Sequence, residues 1–293
     1  MAILVGPETR LVVQGLTGSE GRFHGLRNRT HGTNVVAGVT PGKAGEDVDG
    51  IPVYGTVADA VAETGANTSL VFVPARFAPD AVYEAVDAGV ETVVCITEHI
   101  PVHDTLRLCA YVRARGATLI GPNCPGVLSP GKANVGIIPA EVFAAGKVGL
   151  VSRSGTLTYQ IGNELAQLGI GNSTIAGIGG DPVIGSTFID LLDRFEADAE
   201  TELVVLVGEI GGDEEEKAAR HIAESLTKPV IAYIAGFSAP PGKTMGHAGA
   251  IISGSSGTAQ AKKVALEAAG IEVGTTPTEV AELVAARLAT RTG

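Results

Sequence analysis

Short apolar runs alternate with helix-compatible stretches along the first part of the chain. Their length and composition predict β-strands at residues 11–14, 34–39, 69–73, 92–96 and 117–120. Helices are predicted up to about residue 29 and at 57–63, 79–88 and 102–115. This alternation predicts an α/β fold with a parallel, doubly wound sheet. Ligands of such sheets bind at the carboxyl ends of the strands.

The pattern changes between residues 121 and 146, which are rich in glycine and proline and show no periodicity. A second set of strands follows, at 147–151, before 176–181, at 203–207 and at 230–235. The chain has 293 residues, more than a single domain of ordinary size. We therefore predict a first domain over 1–125, a connecting segment over 126–146 and a second domain over 147–293.

A glycine-rich turn, GLTGSEG at 15–21, joins the first strand to the first helix. Its G-x-x-G-x-x-G spacing only approximates the dinucleotide fingerprint, so a phosphate site and a plain tight turn are equally compatible with it. The second strand is followed by Lys43, where a dinucleotide site usually has an acid. This cation favours a ligand with a phosphate on its ribose or adenosine and disfavours NAD.

A second candidate anion site begins the first helix of the second domain. The stretch SRSGTLTY at 152–159 places small hydroxyl residues and Gly155 where a helix starts. An ordinary N-cap is the alternative, and Arg153 favours phosphate.

One histidine, His247, lies within the glycine-rich stretch 242–250, after the strand at 230–235. Glu209 ends another apolar strand and is expected to be partly buried, where a carboxylate needs a partner. The strand-end rule predicts that the two side chains face one crevice. A solvated histidine in a surface turn is the alternative.

The acidic run at 213–216 is interpreted as complementing a helix dipole.

Composition limits the classes of partner. Apolar residues make up 45% of the chain and charged residues 18%, as in a packed globular protein. The net charge of −11 and the absence of a basic run argue against a nucleic acid or membrane partner. Three widely spaced cysteines suggest neither disulfides nor a metal site. Without a basic, apolar leader or a long apolar run, we expect a cytoplasmic protein.

Two long motifs, GFSAPPGKTMGHAG at 236–249 and SRSGTLTY at 152–159, resemble the α subunits of succinate–CoA ligases, in the group that includes ATP-citrate lyase. GPNCPG at 121–126 and VGEIGGD at 207–213 support the resemblance, which covers essentially the whole chain. It implies a Rossmann-like, coenzyme A-binding domain followed by a flavodoxin-like, doubly wound ligase domain. Its implied activity interconverts succinyl-CoA, phosphate and a nucleoside diphosphate with succinate, coenzyme A and the triphosphate, in the tricarboxylic acid cycle.

The resemblance also implies residue roles. His247 would become a phosphohistidine, and Glu209 would form a hydrogen bond with its ring. Ser154 and Gly155 would receive phosphate, and Tyr159 would lie near the carboxylic acid. The implied coenzyme A contacts are Thr17, Gly18, Ser19, Glu20, Lys43, Ile96, Thr97 and Glu98.

A β subunit is the implied partner, in an αβ or α2β2 assembly, and it would bind nucleotide and Mg²⁺. The chain itself lacks a G-x-x-x-x-G-K-[ST] loop. His99 and Arg76 depart from the family pattern near the coenzyme A contacts. The alternatives are a non-catalytic protein that binds coenzyme A or a nucleotide, a ligase for a related dicarboxylic acid, and an NAD-dependent dehydrogenase.

Overall fold

The computed structural model describes residues 2–240, 244–252 and 257–290. These form two compact units. The amino-terminal unit consists of Leu4–Ala140 and Val183–Ser186, and the carboxy-terminal unit contains most of the chain from Glu141 onward. The division at 1–125, 126–146 and 147–293 stays a prediction.

A seven-stranded sheet runs through the amino-terminal unit. Its strands are β1 (Arg10–Gln14), β2 (Asn34–Val39), β3 (Asp47–Val48), β4 (Ile51–Tyr54), β5 (Thr68–Val71), β6 (Thr92–Cys95) and β7 (Thr118–Ile120). The order is β3-β4-β2-β1-β5-β6-β7, and only the β3–β4 pair is antiparallel. The strands up to β4 lie on one side of β1, and β5 to β7 lie on the other. The strand order therefore reverses between β1 and β5, which is where doubly wound folds bind ligands.

Four helices connect these strands: α1 (Ser19–Thr30), α2 (Val57–Thr64), α3 (Ala78–Asp87) and α4 (Val102–Ala114). The apolar face of α3, with Ala78, Val82 and Ala85, packs with Val71 and Val93 of the sheet in one buried cluster.

Segment 126–146, in which the sequence predicts no element, contains the antiparallel hairpin of β8 (Gly126–Ser129) and β9 (Ala133–Gly136). Every residue of both strands is buried. Strands that are buried on both faces show no alternation, so periodicity does not reveal them.

The strands of the carboxy-terminal unit are β10 (Ala145–Ser152), β11 (Asn172–Gly177), β12 (Leu203–Glu209), β13 (Val230–Ala235) and β14 (Glu272–Gly274). They are parallel and lie in the order β14-β13-β12-β10-β11, which is the flavodoxin-like arrangement. The helices are α5 (Gly155–Gln167), α6 (Phe188–Ala197), α7 (Glu214–Ser225), α8 (Ala259–Ala268) and α9 (Pro277–Ala289). The predicted α/β class with doubly wound parallel sheets is confirmed. No helix in the described part of the chain is both long and apolar enough to cross a bilayer.

Candidate active site

Three polar side chains of the carboxy-terminal unit meet at the carboxyl edge of its sheet. Arg153 follows β10, Glu209 is the last residue of β12, and His247 lies in the loop after β13. The strand order reverses between β10 and β12, which is where a doubly wound sheet has its ligand crevice. The three residues therefore surround the predicted crevice.

His247 and Glu209 form a hydrogen-bonded pair. The ring Nδ1 lies 2.8 Å from Oε2 of Glu209, whose side chain is only 6% exposed while that of His247 is 26% exposed. A carboxylate only accepts hydrogen bonds, so Nδ1 donates and Nε2 carries the nucleophilic lone pair. The bond from Glu209 raises the pKa of His247, against the opposing effects of burial and of Arg153.

Arg153 forms an ion pair with the other oxygen of the same carboxylate. Its Nε lies 3.4 Å from Oε1 of Glu209, and its Nη2 donates to the carbonyl of Asp181 at 3.1 Å. Both side chains of this ion pair are almost completely buried. The sequence associates Arg153 with phosphate, but in the structure its guanidinium contacts Glu209. A buried cation beside the carboxylate balances its charge where water cannot.

The imidazole packs directly against main chain. A Cβ added to Gly180 would lie 2.3 Å from Cγ of His247, and one added to Gly249 would lie 2.9 Å from Nη2 of Arg153. The amide of Gly249 also donates to the carbonyl of Gly180 at 3.2 Å. Glycine at both positions thus lets the loop dock on the sheet edge. Gly242 and Lys243 of the predicted loop lie outside the described residues.

The predicted phosphate site begins helix α5, immediately after Arg153. Ser154 is its N-cap, and its side chain accepts a hydrogen bond from the amide of Leu157 at 3.3 Å. Open space adjoins Gly155 on the side where a Cβ would point. Among the described residues outside the local backbone, no atom lies within 4 Å of that position, so Gly155 leaves room for an anion beside the start of α5. Tyr159 lies about one turn further along and is half-buried.

The glycine-rich turn of the amino-terminal unit lies at the β1–β5 reversal. Gly15 has a φ of +86°, and a Cβ there would lie 2.5 Å from the carbonyl oxygen of Phe72. Thr17 is half-buried, and its hydroxyl donates a hydrogen bond to the hydroxyl of Thr40, which follows β2, at 3.1 Å. Gly18, Ser19 and Glu20 are exposed where α1 begins.

The remaining predicted coenzyme A contacts lie in the loops after β2 and β6. Lys43 is 47% exposed, and its Nζ lies 3.3 Å from Oε1 of Glu46. Ile96 and Thr97 are half-buried, and the Thr97 hydroxyl donates to the carbonyl of Val73 at 2.8 Å. Glu98 is exposed, with its Oε2 3.5 Å from Nε2 of His99.

The two departures from the family pattern are also exposed. His99 has a φ of +66° and a side chain that is 89% exposed. The Arg76 guanidinium lies over the ring of Phe77, 4.6 Å from its centroid.

One member of the acidic run has an environment that the sequence analysis did not predict. Glu215 lies in the first turn of α7, as the dipole interpretation requires, but its side chain is completely buried. Its Oε1 accepts the Glu209 amide at 3.0 Å, and its Oε2 pairs with the buried Lys262 of α8. The spacing could have revealed this burial, since Glu215 lies on the same helical face as Ala218, Ala219 and Ile222.

Residues 7–99 match the family model of the CoA binding domain, and residues 151–271 match that of the CoA-ligase family. The chain is 61% identical over 285 residues to succinate–CoA ligase [ADP-forming] subunit alpha 2 of Archaeoglobus fulgidus, over 97% of this chain and 99% of that relative. It is 58% identical over 287 residues to the corresponding subunit alpha of Aquifex aeolicus, over 97% and 94% of the two chains.

Among solved structures, it superposes on ATP citrate lyase from Methanothrix soehngenii in complex with citrate and coenzyme A. The TM-score is 0.90 at 25% identity. The match covers 99% of this chain and 52% of that one, so the chain spans about half of the citrate lyase. The predicted family is confirmed by the two full-length relatives. Two matched domains in this order and identity over nearly the whole of both chains establish that the chain belongs to the family of succinate–CoA ligase α subunits.

Proposed function

We propose that this chain is the α subunit of an ADP-forming succinate–CoA ligase in which His247 carries the phosphoryl group. The reaction interconverts succinyl-CoA, phosphate and ADP with succinate, coenzyme A and ATP. ADP is favoured over GDP because the relatives at 58–61% identity are named as ADP-forming. The observation that carries the proposal is the 2.8 Å contact between Nδ1 of His247 and Oε2 of Glu209.

The pair is suited to nucleophilic catalysis. Nε2 of His247 attacks the terminal phosphorus of ATP, the Nε2–P bond forms, and the bond from phosphorus to the leaving ADP oxygen breaks. Nδ1 keeps its proton, so the phosphorylated ring gains positive character, which the Glu209 carboxylate offsets. Arg153 holds the other Glu209 oxygen and keeps the carboxylate directed at the ring.

Transfer to the acid completes the sequence. A succinate oxygen attacks the phosphorus while the Nε2–P bond breaks, which gives an acyl phosphate. The coenzyme A thiolate then attacks the acyl carbon, and phosphate leaves. In this proposal the start of α5 at Ser154 and Gly155 binds the phosphate, and Tyr159 borders the acid.

Coenzyme A binding fits the amino-terminal unit, since residues 7–99 match the CoA binding domain family. The proposed contacts are Thr17, Gly18, Ser19, Glu20, Lys43, Ile96, Thr97 and Glu98. We assign the function to the predicted domains, with 1–125 binding coenzyme A and 147–293 carrying the ligase chemistry.

We assign nucleotide and Mg²⁺ to a partner β subunit, in an αβ or α2β2 assembly. We also propose a reducing, cytoplasmic location, which the odd number and wide spacing of the three cysteines favour, and a role in the tricarboxylic acid cycle.

The test is incorporation of label from γ-labelled ATP into the chain purified with its partner subunit. One acid-labile, base-stable phosphate per chain is expected on His247, and His247→Asn should abolish it. Wild-type labelling of the Asn variant, or an acid-stable label, would contradict the proposal. Coenzyme A binding without any labelling would instead indicate a non-catalytic binding protein. Assays with ADP and GDP, and with other dicarboxylic acids, define the specificity.

A further inference from the structure

Two charged side chains outside the proposed reaction are completely buried in the carboxy-terminal unit. Glu215 of α7 and Lys262 of α8 have no exposed side-chain surface. The ammonium of Lys262 donates to Oε2 of Glu215 and also lies 3.2 Å from Oε2 of Glu216. Removing two charges from water is costly, and an apolar pair of similar volume is often at least as stable. A contribution to stability alone is therefore a weak explanation of this pair.

The pair is joined to the candidate active site through main chain. The other Glu215 oxygen, Oε1, accepts a hydrogen bond from the Glu209 amide at 3.0 Å. A Cβ added to Gly208 would lie 2.5 Å from Cγ and 2.6 Å from Oε1 of Glu215. Because residue 208 is glycine, the Glu215 side chain has room to reach the amide of Glu209. The carboxylate links Lys262 to the main chain of the residue that binds His247.

We propose that Glu215 and Lys262 are positioning residues for phosphoryl transfer at His247, acting through the main chain of Glu209. The inference rests on the proposed function. Glu209 ends β12, and the hydrogen bond to its amide fixes the point from which its side chain extends to the imidazole. Small misplacements of groups that orient a nucleophile cost up to about 10²-fold in rate, so this anchor matters for turnover.

The ammonium of Lys262 contacts Glu215 and favours its ionised form, which is the stronger acceptor for the amide. Burial raises the pKa of Glu215 overall, and Lys262 is the largest of the effects that oppose this rise, followed by Arg153. Removing the ammonium raises the pKa of the buried carboxyl further and so favours its protonated form, which is a weaker acceptor. Among the residues that the structure describes, the charged groups that act on the imidazole are Glu209, Arg153 and Asp181, and none of these three belongs to α7 or α8.

The experiment compares variants of the chain in the complex with its partner subunit. Lys262→Met should slow His247 phosphorylation by ATP about tenfold, within the range expected for misplacement. The double variant Glu215→Gln with Lys262→Met keeps an amide oxygen for the Glu209 N–H and leaves no charge at positions 215 and 262. It should recover a rate within about threefold of wild type. The matched control is Lys263→Met, which removes a neighbouring ammonium of α8 that pairs with Glu267.

A second readout does not depend on turnover. Diethyl pyrocarbonate acylates neutral imidazole, and peptide mass spectrometry at a series of pH values gives the midpoint for His247. In Lys262→Met this midpoint should fall, because a displaced Glu209 no longer stabilises the protonated ring. Melting curves and coenzyme A titrations check that each variant is folded.

The outcomes separate the two proposals. A wild-type midpoint in folded Lys262→Met would overturn the inference, whether or not the protein turns over. Equal rate losses in Lys262→Met and the double variant, with unchanged midpoints, would show that the pair is only structural. Absence of labelling in the wild-type complex would overturn the proposed function, while the acylation midpoint would still test the inference.

Discussion

At the scale of single residues, His247 depends on one carboxylate. Glu209 is nearly buried and contacts the ring on one oxygen and Arg153 on the other, at 2.8 Å and 3.4 Å. Its charge therefore acts on the imidazole with little screening by water. A neutral side chain of the same shape would preserve the contact and remove this electrostatic effect.

We predict that Glu209→Gln slows phosphorylation of His247 by about 10²-fold, the lower range for a positioned electrostatic group. Quenched-flow measurement with labelled ATP gives the rate. Folding and coenzyme A binding should survive, as checked by a melting curve and a titration. A folded Gln variant that is phosphorylated at the wild-type rate would show that Glu209 has only a structural role.

The pH profile gives an independent prediction. Phosphorylation requires the neutral ring, and the Glu209 bond raises the pKa of His247 above its ordinary value of 6.5. The rate should therefore rise with pH through a midpoint above that value. In Glu209→Gln the bond to a carboxylate is lost, so the midpoint should move to lower pH. A midpoint that is the same in both proteins would contradict this account.

The sequence allowed the pairing of Glu209 with His247 to be predicted. It did not allow prediction of the buried contact between Glu215 and Lys262 behind that pair. Glu209 ends one apolar strand and His247 lies in the loop after another, so the strand-end rule brings them together in a parallel sheet. Lys262 pairs with Glu215 from 47 residues away in the sequence, and no local pattern specifies that contact. The catalytic roles of these residues stay predictions.

At the scale of elements, two helices of the carboxy-terminal unit share one type of cap hydrogen bond, although Asp190 adds a capping box at α6. Ser154 caps α5 and Thr187 caps α6, and each hydroxyl accepts the amide three residues ahead at 3.3 Å. Only α5 begins at the candidate site, next to Arg153. The two caps thus separate a structural contribution from one to phosphate binding.

We predict that Ser154→Ala and Thr187→Ala each lower the free energy of unfolding by about 1 kcal/mol, the usual contribution of an N-cap. Only Ser154→Ala should also weaken phosphate binding in the succinyl-CoA-forming assay, measured as a higher KM for phosphate. Denaturant titrations give the stabilities. An equal rise in the KM for phosphate in both variants would show that the rise comes from the lower stability of the carboxy-terminal unit and not from loss of a phosphate contact.

The elements themselves were predictable where apolar and polar residues alternate over whole strands and helices. β3 and β14 have two and three residues, too few for a periodic signal. β8 and β9 are buried throughout and begin or end at glycines, Gly126 and Gly136, which pack against each other's main chain. Such strands are specified by tertiary packing more than by local preference.

At the scale of the whole molecule, two activities are assigned to separate units. The net charge is −11, so an anionic ligand must be attracted by local cations. Lys43 is the cation that distinguishes the first crevice from a dinucleotide site, and in this structure it pairs with Glu46.

We predict that Lys43→Glu raises the KM for coenzyme A while phosphorylation of His247 by ATP hardly changes, because the ammonium is expected to contact a coenzyme A phosphate. Arg115→Glu makes a comparable charge reversal next to β7 at the amino edge of the same sheet, where Arg115 pairs with Asp87 at 3.0 Å. It serves as the control. Equal loss of both activities in Lys43→Glu would show that the substitution damages folding or that the site is misassigned.

The close packing of the candidate site's side chains on glycine has a consequence for the protein's evolution and redesign. Gly180 adjoins the ring of His247, Gly208 adjoins Glu215, and Gly249 adjoins Arg153. A single methyl group at any of these positions would collide with a side chain of the charge network. Tolerance to substitution across the gene should therefore be as low at these chemically inert positions as at the charged ones. A search for functional residues by reactivity alone would overlook them.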